Sequence, residues 1–249
     1  MLRKVGVQVG SFRVATYNIH KCQGLDRRVR PRRIAQVLKE IDADVVALQE
    51  VVGMDEAERE HNQVHAIAAE LGMDFRTGEN RRLRGGAYGN AVLSRLPIVN
   101  DKNHDLTCRR YEPRGCLEVS VQVDPKEVVC LFNVHLGTSF FERRYQAHRL
   151  FEVIGDHSAL SSPRIVLGDF NEWTRGLTTR LMNFHLNSAE PEQRLGRART
   201  YPGVFPILHL DHVYYNSSLR LDQVSVHRSR LALAASDHLP IVADFTLDR

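Results

Sequence analysis

Apolar residues recur along this chain at two spacings, one typical of strands and one typical of helices. Residues Phe12–Tyr17 form a short apolar run with β-branched members, which predicts a buried strand. After Pro31, apolar side chains at Ile34, Leu38 and Ile41 recur every three or four residues. That spacing predicts a helix, and proline is a favoured residue in a helix's first turn.

The same two patterns predict the remaining elements. The further predicted helices are Glu56–Leu71, Glu142–Leu160 and Leu177–Phe184. The further predicted strands are Asp44–Leu48, Ala87–Leu93, Cys116–Val123, Val128–Val134, Arg164–Leu167, Leu208–Tyr215, Arg220–His227 and Ile241–Phe245. Asp124 and Pro125 lie between two of these strands and predict the turn of an antiparallel hairpin.

This order of elements indicates a fold class. Helices mixed with about ten strands, several of them antiparallel, favour two packed sheets with helices on the outside. No internal repeat and no Pro- or Ser-rich stretch divides the 249 residues. We therefore predict one domain over residues 1–249, with its core at residues 12–246.

Composition narrows the class of protein but not its substrate. Hydrophobic residues make up 43% and charged residues 26%, which excludes a disordered, collagen-like or coiled-coil chain. Lys and Arg total 34 against 30 Asp and Glu, a formal net charge of +4. This excess is compatible with a phosphate-bearing substrate, but many enzymes share it, so charge alone leaves the substrate open.

Cysteine usage and the amino terminus bear on the compartment. The four cysteines include no C-x-x-C pair, and a disulfide framework is not expected in a chain of this size. Residues 1–12 lack the apolar core of a secretion signal, and no stretch reaches the length of a membrane span. We therefore expect a cytoplasmic protein without a transmembrane segment.

Several predicted strands end or begin with residues that bind metals or transfer protons. These residues are Asn18, Glu50, His135, Asp169, Asn171, Asp211, His212, Asp237 and His238. Taken singly, an Asn, Asp or Glu there is explained as the first residue of a turn. Taken together, they are better explained if the strand ends meet at one edge, because a carboxylate beside a buried strand needs a partner.

A divalent cation would be such a partner. Glu50, Asp169 and Asp237 would repel one another without a cation if they met. Carboxylate and amide oxygens are the ligands that Mg²⁺ and Mn²⁺ prefer, so the sequence predicts a site for one of these ions. In an extended chain, Asp169 and Asn171 would project together with Phe170 in the core, and the pair could hold a water and a phosphoryl oxygen.

Seven short motifs resemble the endonuclease/exonuclease/phosphatase superfamily, the DNase I-like metal-dependent hydrolases. They are TYNIH with Asn18, ALQE with Glu50, GNAVLSRLPI with Asn90, NVHLG with His135, LGDFNEW with Asp169 and Asn171, LDHVYY with Asp211, and SDHLPI with Asp237 and His238. They follow that family's order from residue 12 to residue 245, nearly the whole chain. The resemblance implies an α+β fold, a four-layer αββα sandwich in which two mixed, mainly antiparallel sheets are flanked by helices.

The resemblance also implies a metal site and a substrate site at one edge of the sheets. Asn18 and Glu50 would bind Mg²⁺ or Mn²⁺, with Asp237 close enough to contribute. Asn90 would lie on the substrate side. Arg114, in YEPRG, has two equal explanations at this stage, a substrate contact or a solvated loop arginine.

Five further residues would carry the catalytic roles that the resemblance implies. Asp169 would orient or deprotonate the attacking water, and Asn171 would bind the phosphoryl group. Asp211 would orient His238 towards the scissile phosphate. His135 would be a second imidazole at the phosphate, or the general acid.

Three hypotheses for the function remain open. The first is a metal-dependent hydrolase acting on the phosphate ester of a small molecule or lipid headgroup. The second is a DNA endonuclease or exonuclease, which predicts a continuous basic groove and salt-sensitive binding. The third is a non-catalytic binding module, which the presence of every expected catalytic residue disfavours. The sequence leaves the oligomeric state open.

Overall fold

Two sheets lie face to face between outer layers of helices. The computed structural model describes residues 10–53, 62–83, 86–155, 162–174, 176–189 and 199–248. Each sheet has six strands within these ranges. The predicted α+β sandwich of two mixed sheets flanked by helices is therefore confirmed.

The elements are numbered in chain order. The strands are β1 (Ser11–Asn18), β2 (Val45–Val52), β3 (Asp74–Leu83), β4 (Gly86–Ser94), β5 (Ile98–Asp105), β6 (Gly115–Asp124), β7 (Glu127–His135), β8 (Arg164–Asp169), β9 (Asn187–Ser188), β10 (Asp211–Tyr215), β11 (Leu219–Val226) and β12 (Ile241–Leu247). The helices are α1 (Pro31–Ile41), α2 (Gln63–Leu71), α3 (Phe140–Gly155), α4 (Leu177–His185) and α5 (Arg230–Ala235). The first sheet has the order β11-β12-β1-β2-β4-β3, and the second has the order β5-β6-β7-β8-β10-β9.

Three apolar cores hold the four layers together. Helices α1, α2 and α5 bury side chains such as Ile34 and Ile67 against the first sheet. Helices α3 and α4 bury Leu150 and Met182 against the second sheet. A third core, which includes Leu131, lies between the two sheets. Within the described residues, none of the helices combines the length and apolar content that crossing a bilayer requires.

Two parallel strand pairs bring the candidate residues to one edge of the sandwich. β1 runs parallel to β2, and β7 runs parallel to β8, so the carboxyl ends of each pair lie together. The antiparallel strands β10 and β12 begin at the same edge, where Asp211 pairs with Asp169 and Ile241 pairs with Thr16. We call this the polar edge, after Asn18, His135 and Asp169, which end its strands, and Glu50, which lies two residues before the end of β2.

Strands β3 and β5 are absent from the elements predicted by hydrophobic spacing. Their sequences, DFRTGENRRL and IVNDKNHD, carry too few apolar residues to show a buried face. Each strand lies at the outer edge of its sheet, where only one neighbour pairs with it. Charged residues at such edges keep another chain from adding to the sheet, which explains their polar composition.

Three predicted boundaries also differ from the structure. The helix predicted over Glu56–Leu71 begins at Gln63, because Asn62 caps it by accepting hydrogen bonds from two backbone N–H groups, and residues 56–61 lie outside the described residues. The helix predicted over Glu142–Leu160 begins at Phe140, and residues 156–160 lie outside the described residues. The strand predicted from Leu208 begins at Asp211, because the residues before it form a turn.

Buried side-chain amides join the two sheets next to the polar edge. Asn133 on β7 donates to the carbonyl oxygens of Leu48 and Ala91 in the opposite sheet, at 3.0 and 2.9 Å. It accepts a hydrogen bond of 2.8 Å from Gln49, and both amide side chains are fully buried. The β2–β4 register shifts between Leu48 and Val51, so these bonds hold the strand at the bulge that contains Glu50.

We expect Asn133→Leu to lower the free energy of unfolding by about 1–3 kcal/mol. The variant keeps the side-chain volume, but two buried carbonyl groups lose a donor and Gln49 loses its acceptor. Urea denaturation followed by circular dichroism measures the change.

Asn103→Leu is the matched control for this variant. Asn103 makes a comparable bond of 3.0 Å to the carbonyl oxygen of Glu79, but at an exposed site where water can replace it. We expect this control to cost less than about 0.5 kcal/mol. Equal losses in the two variants would contradict the importance assigned to the buried amide.

Candidate active site

Strand register places three candidate residues side by side. His135 is paired with Asp169 across the parallel strands β7 and β8, and Asp169 is paired with Asp211 across the antiparallel strands β8 and β10. Paired residues on neighbouring strands project to the same face of a sheet. The opposite sheet contributes Asn18 at the end of β1 and His238 just before β12.

Asp169 is the residue to which the others connect. One carboxylate oxygen, Oδ2, accepts a hydrogen bond of 2.9 Å from the Asn18 side chain. The same oxygen lies 3.7 Å from Nε2 of His135 and 3.8 Å from Nε2 of His238. The other oxygen accepts a hydrogen bond of 2.9 Å from the backbone N–H of Asn171.

Burial changes the acidity of Asp169. Its side chain is 1% exposed, and this burial raises its pKa. His238 lowers the pKa and Asp211 raises it, and the net direction is upward. A raised pKa makes this carboxylate a stronger base than an exposed one, which suits a general base.

His238 is held as a cation by its carboxylate neighbours. Its Nδ1 lies 2.9 Å from Oδ2 of Asp211, which also accepts a hydrogen bond of 2.5 Å from Thr200. Burial lowers the pKa of His238, but Asp211 and Asp169 raise it, and the net value is about 10. The imidazolium supplies a fixed positive charge, and the ring of Tyr201 packs 4.9 Å from it.

His135 is held in the opposite state. Burial lowers its pKa well below the usual value, and the Arg114 guanidinium lowers it further. Arg114 Nη1 lies 3.1 Å from Nδ1 of the ring. A neutral imidazole cannot balance phosphate charge, so at this position the positive charge belongs to Arg114.

The two explanations of Arg114 can now be separated. Its side chain is 7% exposed, so it is not a solvated loop arginine. Besides His135, it lies 3.4 Å from the carboxylate of Glu112. Its Nε is buried without a hydrogen-bond partner among the described residues.

Glu50 is presented by an unusual backbone conformation. Its φ of 60° lies in the left-handed region, within the bulge of β2. One carboxylate oxygen accepts a hydrogen bond of 3.2 Å from Asn18, and the other lies 2.7 Å from the ammonium of Lys21. Burial raises the pKa of Glu50, whereas the Lys21 ammonium and the Asn18 amide lower it, and the net direction is downward.

The Glu50 carboxylate at this end of the site is a ligand type that a hard divalent cation prefers. The Asn18 oxygen would serve as a second ligand only with its amide turned, because here it accepts a hydrogen bond of 3.0 Å from the backbone N–H of His20. Glu50 is ionised and close to Asn18, and a cationic group, the Lys21 ammonium, already balances its charge. Asp169, Asp211 and His238 also offer ligand atoms within 4.8 Å of one another. However, a protonated imidazole bonded to Asp211 has no lone pair for a metal, so this second group fits a cation less well.

Asp237 lies on the same rim but faces a different partner. Its carboxylate is 3.5 Å from Nδ1 of His20, and about a third of the side chain is exposed. It also raises the pKa of His238, which places its charge near the site. Asp237 as a third metal ligand stays a prediction.

Asn171 and Asn90 occupy positions that differ from the sequence-based expectation. Asn171 has a φ of 49°, so the chain is not extended and the alternation argument for its direction was wrong. Its amide donates to the carbonyl oxygen of Leu136 at 2.9 Å, which leaves its second N–H for another acceptor. Asn90 is fully buried and donates to the carbonyl oxygens of Gly115 and Asn133, so in this structure it joins the sheets.

Lys21 and Thr200 are site residues that the sequence analysis did not identify. Lys21 reaches Glu50 because three successive residues, 20–22, have positive φ and turn the chain back after Asn18. Thr200 reaches Asp211 from a turn eleven residues upstream. Neither has a sequence signal, since a lone lysine or threonine in a loop is ordinarily solvated.

Comparisons with known proteins give matches in both sequence and fold. Residues 15–238 match the Endonuclease/Exonuclease/phosphatase family. The uncharacterized protein YbhP of Escherichia coli (strain K12) is 32% identical over 249 residues, which cover 95% of this chain and 97% of YbhP.

Solved structures share the fold at lower identity. The endonuclease/exonuclease/phosphatase from Beutenbergia cavernae DSM 12333 has a TM-score of 0.74 and 23% identity, covering 96% of this chain and 72% of that chain. The mannosyl-6-phosphatase of Bacteroides thetaiotaomicron VPI-5482 has a TM-score of 0.74 and 20% identity, covering 95% of this chain and 100% of that chain.

The Lys21–Glu50 ion pair gives a prediction about metal affinity. We expect Lys21→Met to bind Mn²⁺ about two- to fivefold more tightly, because the ammonium no longer competes for the carboxylate. Lys39→Met is the matched control, since Lys39 pairs with Glu70 on the surface at 3.1 Å. Isothermal titration calorimetry measures both. Unchanged affinity in Lys21→Met would contradict the competition.

Proposed function

This chain belongs to the endonuclease/exonuclease/phosphatase family, and on that premise we propose that it is a divalent-metal-dependent hydrolase of phosphate esters. Proteins of this family typically hydrolyse phosphate esters, and one of the structural relatives is named a phosphatase. The observation that carries the proposal is the contact of both sheets at Asp169. A buried carboxylate there lies between the Asn18 amide and the imidazolium of His238.

In the proposed reaction, Asp169 orients the attacking water and accepts its proton. Its Oδ1 is fixed by the backbone N–H of Asn171, so the carboxylate has a defined direction. The second N–H of the Asn171 amide is available to a phosphoryl oxygen. Positioning and proton transfer by one such group typically contribute about 10²–10⁴-fold to the rate.

Two fixed cations balance the charge that develops on the phosphate. His238, oriented by Asp211, donates from Nε2 towards the site. Arg114 contributes a second positive charge beside His135, which stays neutral. Donors that are already in place stabilise the transition state without reorganising. His135 as the general acid remains a proposal that needs another source for its proton.

The proposed metal position is at Asn18 and Glu50, with Asp237 as the third oxygen donor. A bound Mg²⁺ or Mn²⁺ would supply Lewis-acid stabilisation of a phosphoryl oxygen. Asn18 bonds to both Glu50 and Asp169, so it sets the distance between the metal-binding carboxylate and the proposed base. A cation bound there would compete with the Lys21 ammonium for Glu50.

The proposed setting of this activity is the cytoplasm, in one catalytic domain with its core at residues 12–246. The four cysteines, Cys22, Cys108, Cys116 and Cys130, are free thiols. Free thiols suit a reducing compartment.

Asp169 and His238 are the two central residues of the proposed mechanism. We expect Asp169→Asn and His238→Gln each to lower kcat for bis-p-nitrophenyl phosphate by about 10³-fold or more, because each removes a charge that acts on the reacting atoms. Stopped assays with purified protein, alongside thermal unfolding, measure activity and folding separately. His227→Gln is the matched control, because His227 pairs with Glu40 in an exposed contact. Full activity in the folded Asp169→Asn variant would exclude the proposed base.

The requirement for a divalent metal ion can be tested by removing the ion. We expect EDTA to abolish hydrolysis and a stoichiometric excess of Mg²⁺ or Mn²⁺ to restore it, because Asn18 and Glu50 need a cation to act on substrate. The same titration on Glu50→Gln is expected to need a higher metal concentration. Hydrolysis that persists in excess chelator would contradict the metal requirement.

A further inference from the structure

Exposed apolar side chains of this protein concentrate at the polar edge. Among the described residues, twelve large hydrophobic side chains are exposed, and ten of them lie on segments that leave this edge or begin the helix after it. The ten are Leu25, Val29, Tyr111, Phe140, Phe141, Tyr145, Trp173, Val204, Phe205 and Ile207. We call these ten residues the apolar rim. Only Val99 and Phe184 lie elsewhere, so the distribution is not an even scatter.

Strand direction places the rim segments at the edge of the sandwich that carries the site. The segments follow β1, β5, β7 and β8 or precede β10, and each of these strands ends or begins at the edge that carries Asp169. Trp173 is four residues after Asp169, and Phe140 is five residues after His135. A molecule that binds these segments would therefore lie at the edge that carries Asp169.

The most exposed rim residues lie on a turn, on the first turn of α3 and on the segment after β8. Phe205 is 76% exposed, Phe141 74% and Trp173 65%. The turn that carries Phe205 is fixed by a hydrogen bond of 2.6 Å from the Gly203 N–H to the Asp237 carbonyl oxygen. Tyr201 in the same turn packs on His238. Exposed aromatic side chains held beside a polar site are candidates for contact with a partner.

Arginines are interleaved with the rim. Segment 25–30, with the sequence LDRRVR, exposes all six of its side chains. The exposed basic residues of the rim segments are Arg27, Arg28, Arg30, Arg109, Arg110, Arg144 and Arg199. Among the described residues of these segments, Asp26 is the one exposed acid. Residues 54–61, with the sequence MDEAEREH, lie outside the described residues.

We propose that the apolar rim seats this protein on an anionic phospholipid bilayer, with the phosphate ester of a lipid headgroup as the substrate class. This inference rests on the proposed hydrolase function and names its substrate. Trp, Tyr and Phe side chains favour the boundary between headgroups and acyl chains, and arginines favour anionic headgroups. Seated in this way, the site at Asp169 faces the layer of phosphates.

A single-stranded nucleic acid would also contact aromatic rings and arginines. The rim favours lipid because four of its ten members are aliphatic: Leu25, Val29, Val204 and Ile207. Aliphatic side chains offer no ring for a base to stack on, but they partition into acyl chains.

The test uses the full chain and vesicles of two compositions. Trp173 is the single tryptophan of the sequence, so intrinsic fluorescence reports on the rim directly. We expect a blue shift, and co-sedimentation at least about tenfold stronger, with phosphatidylcholine vesicles containing 30 mol% phosphatidylglycerol than with pure phosphatidylcholine. No blue shift and no sedimentation with either vesicle would overturn the proposal.

Two variants separate the rim from exposed apolar residues elsewhere. We expect the double variant Phe140→Ser/Phe141→Ser to weaken vesicle binding by about tenfold or more, since both rings leave the interface. Phe205→Ser is expected to act in the same direction. Val99→Ser and Phe184→Ser are the matched controls and are expected to bind vesicles as the parent does. Equal losses in rim and control variants would overturn the assignment of this surface.

Hydrolysis of a soluble ester distinguishes the two proposals. We expect Phe140→Ser/Phe141→Ser to hydrolyse bis-p-nitrophenyl phosphate within about twofold of the parent, but to release less product from phosphatidylglycerol vesicles. A parent that hydrolyses the soluble ester but neither binds nor cleaves lipid would refute the lipid inference and leave the hydrolase function intact. A parent without any esterase activity would refute the hydrolase function itself. Rim variants that lose oligo(dT) binding while keeping vesicle binding would assign the rim to nucleic acid instead.

Discussion

The site depends on the burial of a carboxylate, Asp169, where two sheets meet. A buried carboxylate is costly unless donors and cations surround it, and here no single sheet supplies them all. Asn18 and His238 come from the first sheet and its connections, whereas His135 and Asp211 lie beside Asp169 on the second. The contacts that neutralise the buried charge therefore also hold the sheets together at the polar edge. The residues of the candidate site thus stabilise the fold as well.

The sequence identified most of the residues that meet at this edge, because apolar runs mark where the strands end. An apolar run that stops at Asn, Glu, His or Asp predicts both the strand and its end, and the cost of placing carboxylates beside buried strands favoured their meeting at one edge. The parallel pairs β1–β2 and β7–β8 were not predicted, and they are what brings these strand ends together within each sheet. The sequence predicted the directions of side chains less well. Asn171 was expected to follow the alternation of an extended chain, but its positive φ turns the amide towards Leu136. Lys21 was missed for a similar reason. Its position beside Glu50 depends on the positive φ angles of residues 20–22, which the sequence pattern did not predict.

Among the strands, the buried ones were predicted from the sequence and the exposed edge strands were not. The core strands were found from apolar spacing, whereas β3 and β5 were missed because edge strands are selected for charge. Composition also concealed the apolar rim. Aromatic residues are only 7% of the sequence, which gave no sign of an exposed platform, yet several of them lie at one edge because the connections that carry them all leave from there.

The reciprocal amides of Asn90 and Asn133 set a limit on how the sandwich can vary. Each donates to backbone oxygens of the facing sheet, so one sheet cannot slip along the other by the roughly 3.3 Å of a single strand residue without breaking both. A slip of that size would also carry Asn18 out of reach of Asp169. A core substitution that displaces the layers would thus have two effects, a loss of stability through the broken amide bonds and a loss of activity through the separation of Asn18 from Asp169.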